Sequence, residues 1–143
     1  MNARDENLST DANALPILAV VEKYEAFVHY LYPILQRSPR QHSVLRDTVL
    51  AALFVPVGGL YRAAKSRQVS WLHAVDAEFA TLRSHLRFLV LPTIKIITQH
   101  QQITALALLA EPGKMLGAWI RKLSNPAAQI QKPARPVGQA GKC

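Results

Sequence analysis

Apolar residues recur with a helical period from Ala14 to Leu123, and strict apolar–polar alternation over a useful length is absent. The plainest stretch is Leu72, Val75, Phe79, Leu82, Leu86 and Leu89. Its steps of three and four place six large side chains on one stripe and predict a helix over 70–90 that stops before Pro92. A first helix is predicted from about Ala14 to Gln36, with Pro16 in its first turn. Leu18, Val21, Val28, Leu31 and Leu35 form its inner face, widened by Tyr24, Phe27 and Tyr32, and Pro33 bends or ends it. The second helix is expected to open at Ser38-Pro39-Arg40-Gln41, with Ser38 as the cap, Pro39 at the first helical position and Gln41 returning a bond. Val44 or Leu45, Val49, Ala52, Val55 and Leu60 would then face inward. A last helix opens at the capping box Thr98-Gln99-His100-Gln101 and buries Ile103, Leu106, Leu109 or Ala110, Leu116, Ile120 and Leu123. Pro56, softened by Gly58 and Gly59, and Pro112 predict bends near residues 54–59 and 108–112. Gly113 and Gly117, four apart, would let another helix come close.

Four amphipathic helices joined by short connections imply an all-α, antiparallel up-down four-helix bundle over residues 14–124. Residues 1–13 and 125–143 lie outside it. The second of these is rich in Pro, Ala, Gln, Gly and Lys, cannot bury enough apolar surface to offset ordering, and reads as a disordered basic tail; the first reads as a disordered N-terminal segment. The helix faces are wide. Tyr24, Tyr30 and Tyr32 on the first helix and Trp119 on the last either complete the core or form a contact between copies of the chain.

Charge changes the picture. Seventeen Lys and Arg against nine Asp and Glu give a net +8, with a pI near 10.1. Arg4 is outnumbered by Asp5, Glu6 and Asp11 at the amino end, whereas Lys132, Arg135 and Lys142 in the tail face no acid. The surplus therefore sits on the bundle and tail, and it favours phosphate-rich partners, an acidic protein surface or anionic lipid. Arg40 and Arg46 flank His42. Arg62, Lys65 and Arg67 gather at the end of the second helix, where cations also suit the helix dipole. Arg83 and Arg87 lie one turn apart, and Lys114, Arg121 and Lys122 mark the last helix. With few acids between them, these residues form stripes that would attract phosphate by counterion release, without a motif for reading bases.

Catalytic and metal chemistry find no support. His73 has Asp76 at helical ligand spacing, a single pair that makes no metal site, and carboxylate pairs across a cleft, a phosphate loop and a nucleophile motif are all missing. The expectation is a non-enzyme with no cofactor and no metal. One cysteine, Cys143, permits no internal disulfide. The amino end has no secretory signal pattern, and the longest strongly apolar run, Thr48–Tyr61, falls short of the ~20 residues that span a bilayer. A cytoplasmic protein without a membrane partner is expected.

Several segments carry a family likeness in order along the chain. Val21-Glu22-Lys23-Tyr24-Glu25, Tyr30-Leu31-Tyr32-Pro33-Ile34 and Ser38-Pro39-Arg40-Gln41-His42 come first. Ala64-Lys65-Ser66-Arg67-Gln68-Val69-Ser70, then Leu82-Arg83-Ser84-His85-Leu86-Arg87-Phe88-Leu89, then Gly113-Lys114-Met115-Leu116-Gly117-Ala118-Trp119-Ile120 follow, with a terminal echo at Gly138-Gln139-Ala140-Gly141-Lys142. Together they resemble the accessory variability determinant (Avd) proteins of diversity-generating retroelements, and most of all the Avd of a Bordetella-type phage element, over about residues 17–123. The resemblance implies a four-helix bundle assembled as a homopentameric barrel. It implies association with the element's reverse transcriptase and with template-repeat RNA and cDNA. It also implies a non-catalytic part in adenine-mutagenic cDNA synthesis and mutagenic retrohoming in a bacterial or phage-infected host. By position, Arg40, Lys65, Arg83, Arg87 and Lys114 match basic sites of the family pattern; Arg46, Arg62, Arg67, Arg121 and Lys122 join them on charge alone. Pro56 and Pro112 depart from the pattern. Two other readings fit a basic bundle: the four-helix protein of ribosomal RNA intervening sequences, and a bundle that binds a membrane surface or another protein.

Overall fold

A computed structural model of the chain describes residues 2–125, with side chains from Ile17 onward. The tail after Asn125, with Cys143 and the terminal echo, lies outside the described residues. Four helices follow in order: α1 (Asn2–Gln36), α2 (Ser43–Ser66), α3 (Val69–Leu89) and α4 (Gln99–Ser124), with a single 3-10 turn at Arg40–His42 before α2. Among the described residues there is no strand. Helix α1 packs on α2 and α4, and α3 packs on the same two, so α2 and α4 lie diagonally across an antiparallel four-helix bundle.

Helix α3 follows its sequence pattern without exception, since all six stripe residues are buried. In α1, Val21, Val28, Leu31 and Leu35 are buried as expected and Ile17 and Val20 join them, while Leu18 turns to solvent. Tyr24 and Phe27 are wholly buried. The Tyr24 ring stacks on Phe79 of α3 at 5.3 Å and 12° and meets Phe27 at 5.8 Å. These rings complete the core, so Tyr24 is no surplus for a contact between copies. Tyr30 and Trp119 are half-buried against the same core.

Several boundaries and faces differ from expectation. Helix α1 starts at Asn2 rather than near Ala14, so residues expected to precede the bundle as a disordered segment are helical from Asn2 on. Residues 2–13 contain neither Gly nor Pro to interrupt a helix. Pro33 does not end α1, which runs on to Gln36. Ser38 does not cap a helix: the His42 amide donates to the Pro39 carbonyl at 3.0 Å, and α2 begins only at Ser43 with no side-chain cap. Pro39 is extended (ψ 148°), and the Ser38 hydroxyl has no hydrogen-bond partner.

The inner face of α2 is Val49, Leu53, Pro56, Gly59, Leu60 and Ala63. Val55, expected inside, is exposed; of the alternatives Val44 and Leu45, Leu45 packs against the core and Val44 is 80 % exposed. Proline 56 thus points into the core, and α2 runs through it unbroken. The Tyr24 hydroxyl donates to the Leu53 carbonyl, in the stretch where the missing proline amide disturbs the ladder. Gly59 explains how α2 approaches α3 so closely, since a Cβ placed there would lie 2.6 Å from Val75 Cγ2. Pro112 is likewise buried in an unbroken α4, where Ala105 rather than Ile103 faces inward and Ile103 is 60 % exposed. The predicted capping box is present: the Gln101 amide donates to Thr98 Oγ1 at 3.1 Å, and the Thr98 amide to Gln101 Oε1 at 2.9 Å.

Two connections carry left-handed residues. Arg67 (φ 56°) closes α2, its amide donating to the Ala63 carbonyl at 2.8 Å, and Lys95 (φ 48°) lies between α3 and α4. In that second connection the amides of Ile96 and Ile97 both donate to the Leu89 carbonyl, and the two side chains are buried against the core.

Candidate basic interface

Each cation singled out from the sequence is at the surface, and the helices set their grouping. Arg83 is half-buried and Arg87 exposed, one turn apart on α3. Arg62 and Lys65 lie in the last turns of α2, and Arg67 follows directly in its left-handed cap. Arg121 and Lys122 occupy the last turn of α4, and cations in these terminal turns face the negative ends of the helix dipoles. Arg40 stands in the 3-10 turn beside His42.

Pairing separates these residues. Arg46 Nε holds Asp47 Oδ1 at 2.9 Å, and Lys114 Nζ lies 4.0 Å from Glu111, so both carry a partly neutralising carboxylate. Sequence spacing offered the second pair, at i and i+3, but the neighbour pair at 46–47 depends on rotamer and could not be read from it. No other ion pair occurs among the described residues, which leaves Arg40, Lys65, Arg67, Arg83, Arg87, Arg121 and Lys122 uncompensated. Arg62 is a special case. Its guanidinium carbon sits 5.4 Å from the centre of the Trp71 ring, and its charge partly offsets the effect of burial on Glu78. Burial raises the Glu78 carboxyl above its ordinary value, and one of its oxygens has no hydrogen-bond partner. The Tyr24 hydroxyl is pushed well up, first by burial and then by the charge of Glu78.

The remaining surface offers little chemistry. A largely apolar groove of about 550 Å³ runs between α1 and α2, lined by Val28, Tyr32, Pro33, Leu53, Phe54 and Val57, with Glu25 and His29 among its lining. Tyr32 meets Phe54 there edge-on at 6.0 Å. No group of three His, Cys, Asp or Glu residues that could hold a metal occurs among the described residues.

Exposed apolar residues are concentrated on α2. Val44, Phe54, Val55 and Tyr61 all face outward there, and Ile103 does so on α4. By length and composition alone, the segment Arg40–Ser66 and α4 are apolar enough to cross a bilayer, with mean hydropathies of 1.5 and 1.2. That surplus went unseen in the sequence because both faces of α2 are apolar and only one could be assigned to the core.

Fold and surface together define a basic four-helix bundle whose charge lies along helix ends and outer faces rather than in a cleft. A family model described as bAvd-like matches residues 18–123, and the chain belongs to that family, whose members are accessory and non-catalytic. A comparison with curated proteins gives no match.

Proposed function

We propose that this chain is the accessory subunit of a diversity-generating retroelement, acting in the cytoplasm as a ring of identical copies. It docks the element's reverse transcriptase and template-repeat RNA or cDNA on its basic surface, and supports adenine-mutagenic cDNA synthesis without catalysing a step. The observation that carries this reading is the set of cations that lack an ion pair, Arg83 and Arg87 foremost, on a bundle of the bAvd-like family. Uncompensated cations in stripes bind phosphate largely without regard to sequence.

Ring assembly is supported by the diagonal placement of α2 and α4. Their outward apolar residues lie on opposite sides of one bundle. The apolar face of α2 and the Ile103 side of α4 differ, and two different contact surfaces favour a head-to-tail contact, which closes into a ring when the rotation allows. Five copies is the number that the family likeness implies. The same surplus could instead meet lipid, but Arg46, Asp47, Arg62 and Lys65 interrupt α2 and Glu111, Lys114, Arg121 and Lys122 interrupt α4.

The test is a light-scattering mass of the purified protein, alone and with the cognate reverse transcriptase and template RNA. A mass near five subunits that rises with the transcriptase is expected. A monomer indifferent to both partners overturns the proposal.

A further inference from the structure

Of the two tryptophans, Trp119 is half-buried against the core, whereas Trp71 is 36 % exposed and takes no part in it. Trp71 lies in the first turn of α3, four residues after Arg67 and beside the end of α2 that carries Arg62 and Lys65. Arg62 reaches across to it. The guanidinium lies back over the preceding turn of α2, with Nη1 3.4 Å from where a Cβ on Gly58 would stand, and its carbon is 5.4 Å from the indole centre. The arginine holds the indole while part of the ring remains in solvent. No acidic residue occupies the first turn of α3, and neither Lys65 nor Arg67 has an ion pair.

An aromatic face held by one arginine, beside a helix end that carries two further unpaired cations, has a chemical complement: a flat base with a phosphate alongside. A base in a duplex is already stacked and its faces are covered; an unpaired base is not. We infer that Trp71, steadied by Arg62 beside the end of α2 that carries Lys65 and Arg67, is a stacking platform for one unpaired base of single-stranded nucleic acid. The inference rests on the proposed nucleic-acid binding and narrows it: this end of the bundle takes single strands in preference to duplex.

The test uses the full chain carrying Trp119→Phe, so that Trp71 alone fluoresces. It is titrated with a 20-nucleotide oligothymidylate and with a 20-base-pair duplex at one salt concentration. The single strand is expected to quench Trp71 strongly and the duplex weakly. On the loss expected for removing one stacked base, Trp71→Ala, measured by anisotropy of labelled oligonucleotide, should weaken single-strand binding about tenfold and duplex binding less than about twofold. Trp71→Phe should restore most of the affinity. Arg62→Gln is a second variant that leaves the ring in place, and it should weaken single-strand binding by more than duplex binding. Single-strand affinity unchanged by Trp71→Ala, or single-strand and duplex affinities lowered equally, overturns the platform while leaving nucleic-acid binding intact. A changed oligomer mass in Trp71→Ala would instead place the ring in a contact between copies and overturn it too. Failure of the intact protein to bind either form overturns the broader reading along with this one.

Discussion

Gly58 and Gly59 are neighbours in α2, and their replacement by alanine should move stability in opposite directions. Alanine in a helix interior is favoured over glycine by about 1 kcal/mol, because glycine loses more backbone freedom on folding. At position 58 the new methyl would meet only the mobile end of Arg62, at 3.4 Å, so most of that gain should be realised. At position 59 the methyl would fall 2.6 Å from Val75 Cγ2. Val75 cannot withdraw easily. It is fully buried, and a β-branched side chain in a helix has one strongly preferred rotamer. Overpacking of this kind costs about 1–3 kcal/mol, which exceeds the propensity gain. Gly59→Ala should therefore be less stable than the parent by about 1 kcal/mol, and less stable than Gly58→Ala by about 2 kcal/mol. Urea denaturation followed by circular dichroism measures this, at one fixed protein concentration because assembly would add to apparent stability. Adding Val75→Ala to Gly59→Ala should recover part of the loss, giving a favourable coupling in a double-mutant cycle. Equal stabilisation by both glycine replacements would refute the reasoning about the α2–α3 approach.

Three further outcomes are expected. Tyr24→Phe keeps the ring stack on Phe79 but removes the bond to the Leu53 carbonyl, and should lower stability by about 1–2 kcal/mol in the same denaturation assay. Glu78 has a folded pKa raised from its ordinary 4.5, so the stability linked to it is present below that value and is lost as pH rises through the raised one. Glu78→Gln should accordingly be more stable than the parent at neutral pH, with the difference vanishing below about pH 4 in thermal melts across a pH series. Arg83→Glu with Arg87→Glu should weaken binding of single strand and duplex alike and reduce the slope of log affinity against log salt by about 2, read by anisotropy at several salt concentrations.

Much of the bundle could be read from the sequence where one face was apolar and the other was not. Helix α3 is the clear case: Arg83 and Arg87 stand against the stripe from Leu72 to Leu89, and every stripe residue is buried. The Thr98 capping box was legible because it is a local bond pattern that needs no tertiary partner. Helix α2 was legible only in part: Val49 and Leu60 face inward as expected, but Val55 does not, because Val55 and Tyr61 outside are as apolar as Leu53 and Leu60 inside and period alone cannot choose between two apolar faces. The same ambiguity put Ile103 inside α4. Pro56 and Pro112 read as disruptions, yet both face the core. Ile96 and Ile97 carry no periodic signal, and only the fold of the connection around the Leu89 carbonyl buries them. For the basic interface, residue type identified every cation, but not which ones carboxylates hold, because the Arg46–Asp47 contact depends on rotamers. Nor could Arg62 and Trp71 be joined before α2 and α3 were placed side by side.

The chain has six glycines, but none among the described residues takes a positive φ; the two left-handed positions hold Arg67 and Lys95 instead. A side chain in that region costs of order 1–2 kcal/mol, which glycine would avoid. Both turns thus carry a strained backbone and a positive charge on the same residue. A glycine at either position gives up a cation to relax the backbone. If Arg67 serves the basic surface, Arg67→Gly should melt no lower than the parent while holding nucleic acid less well, which would separate what the turn needs to fold from what it needs to bind.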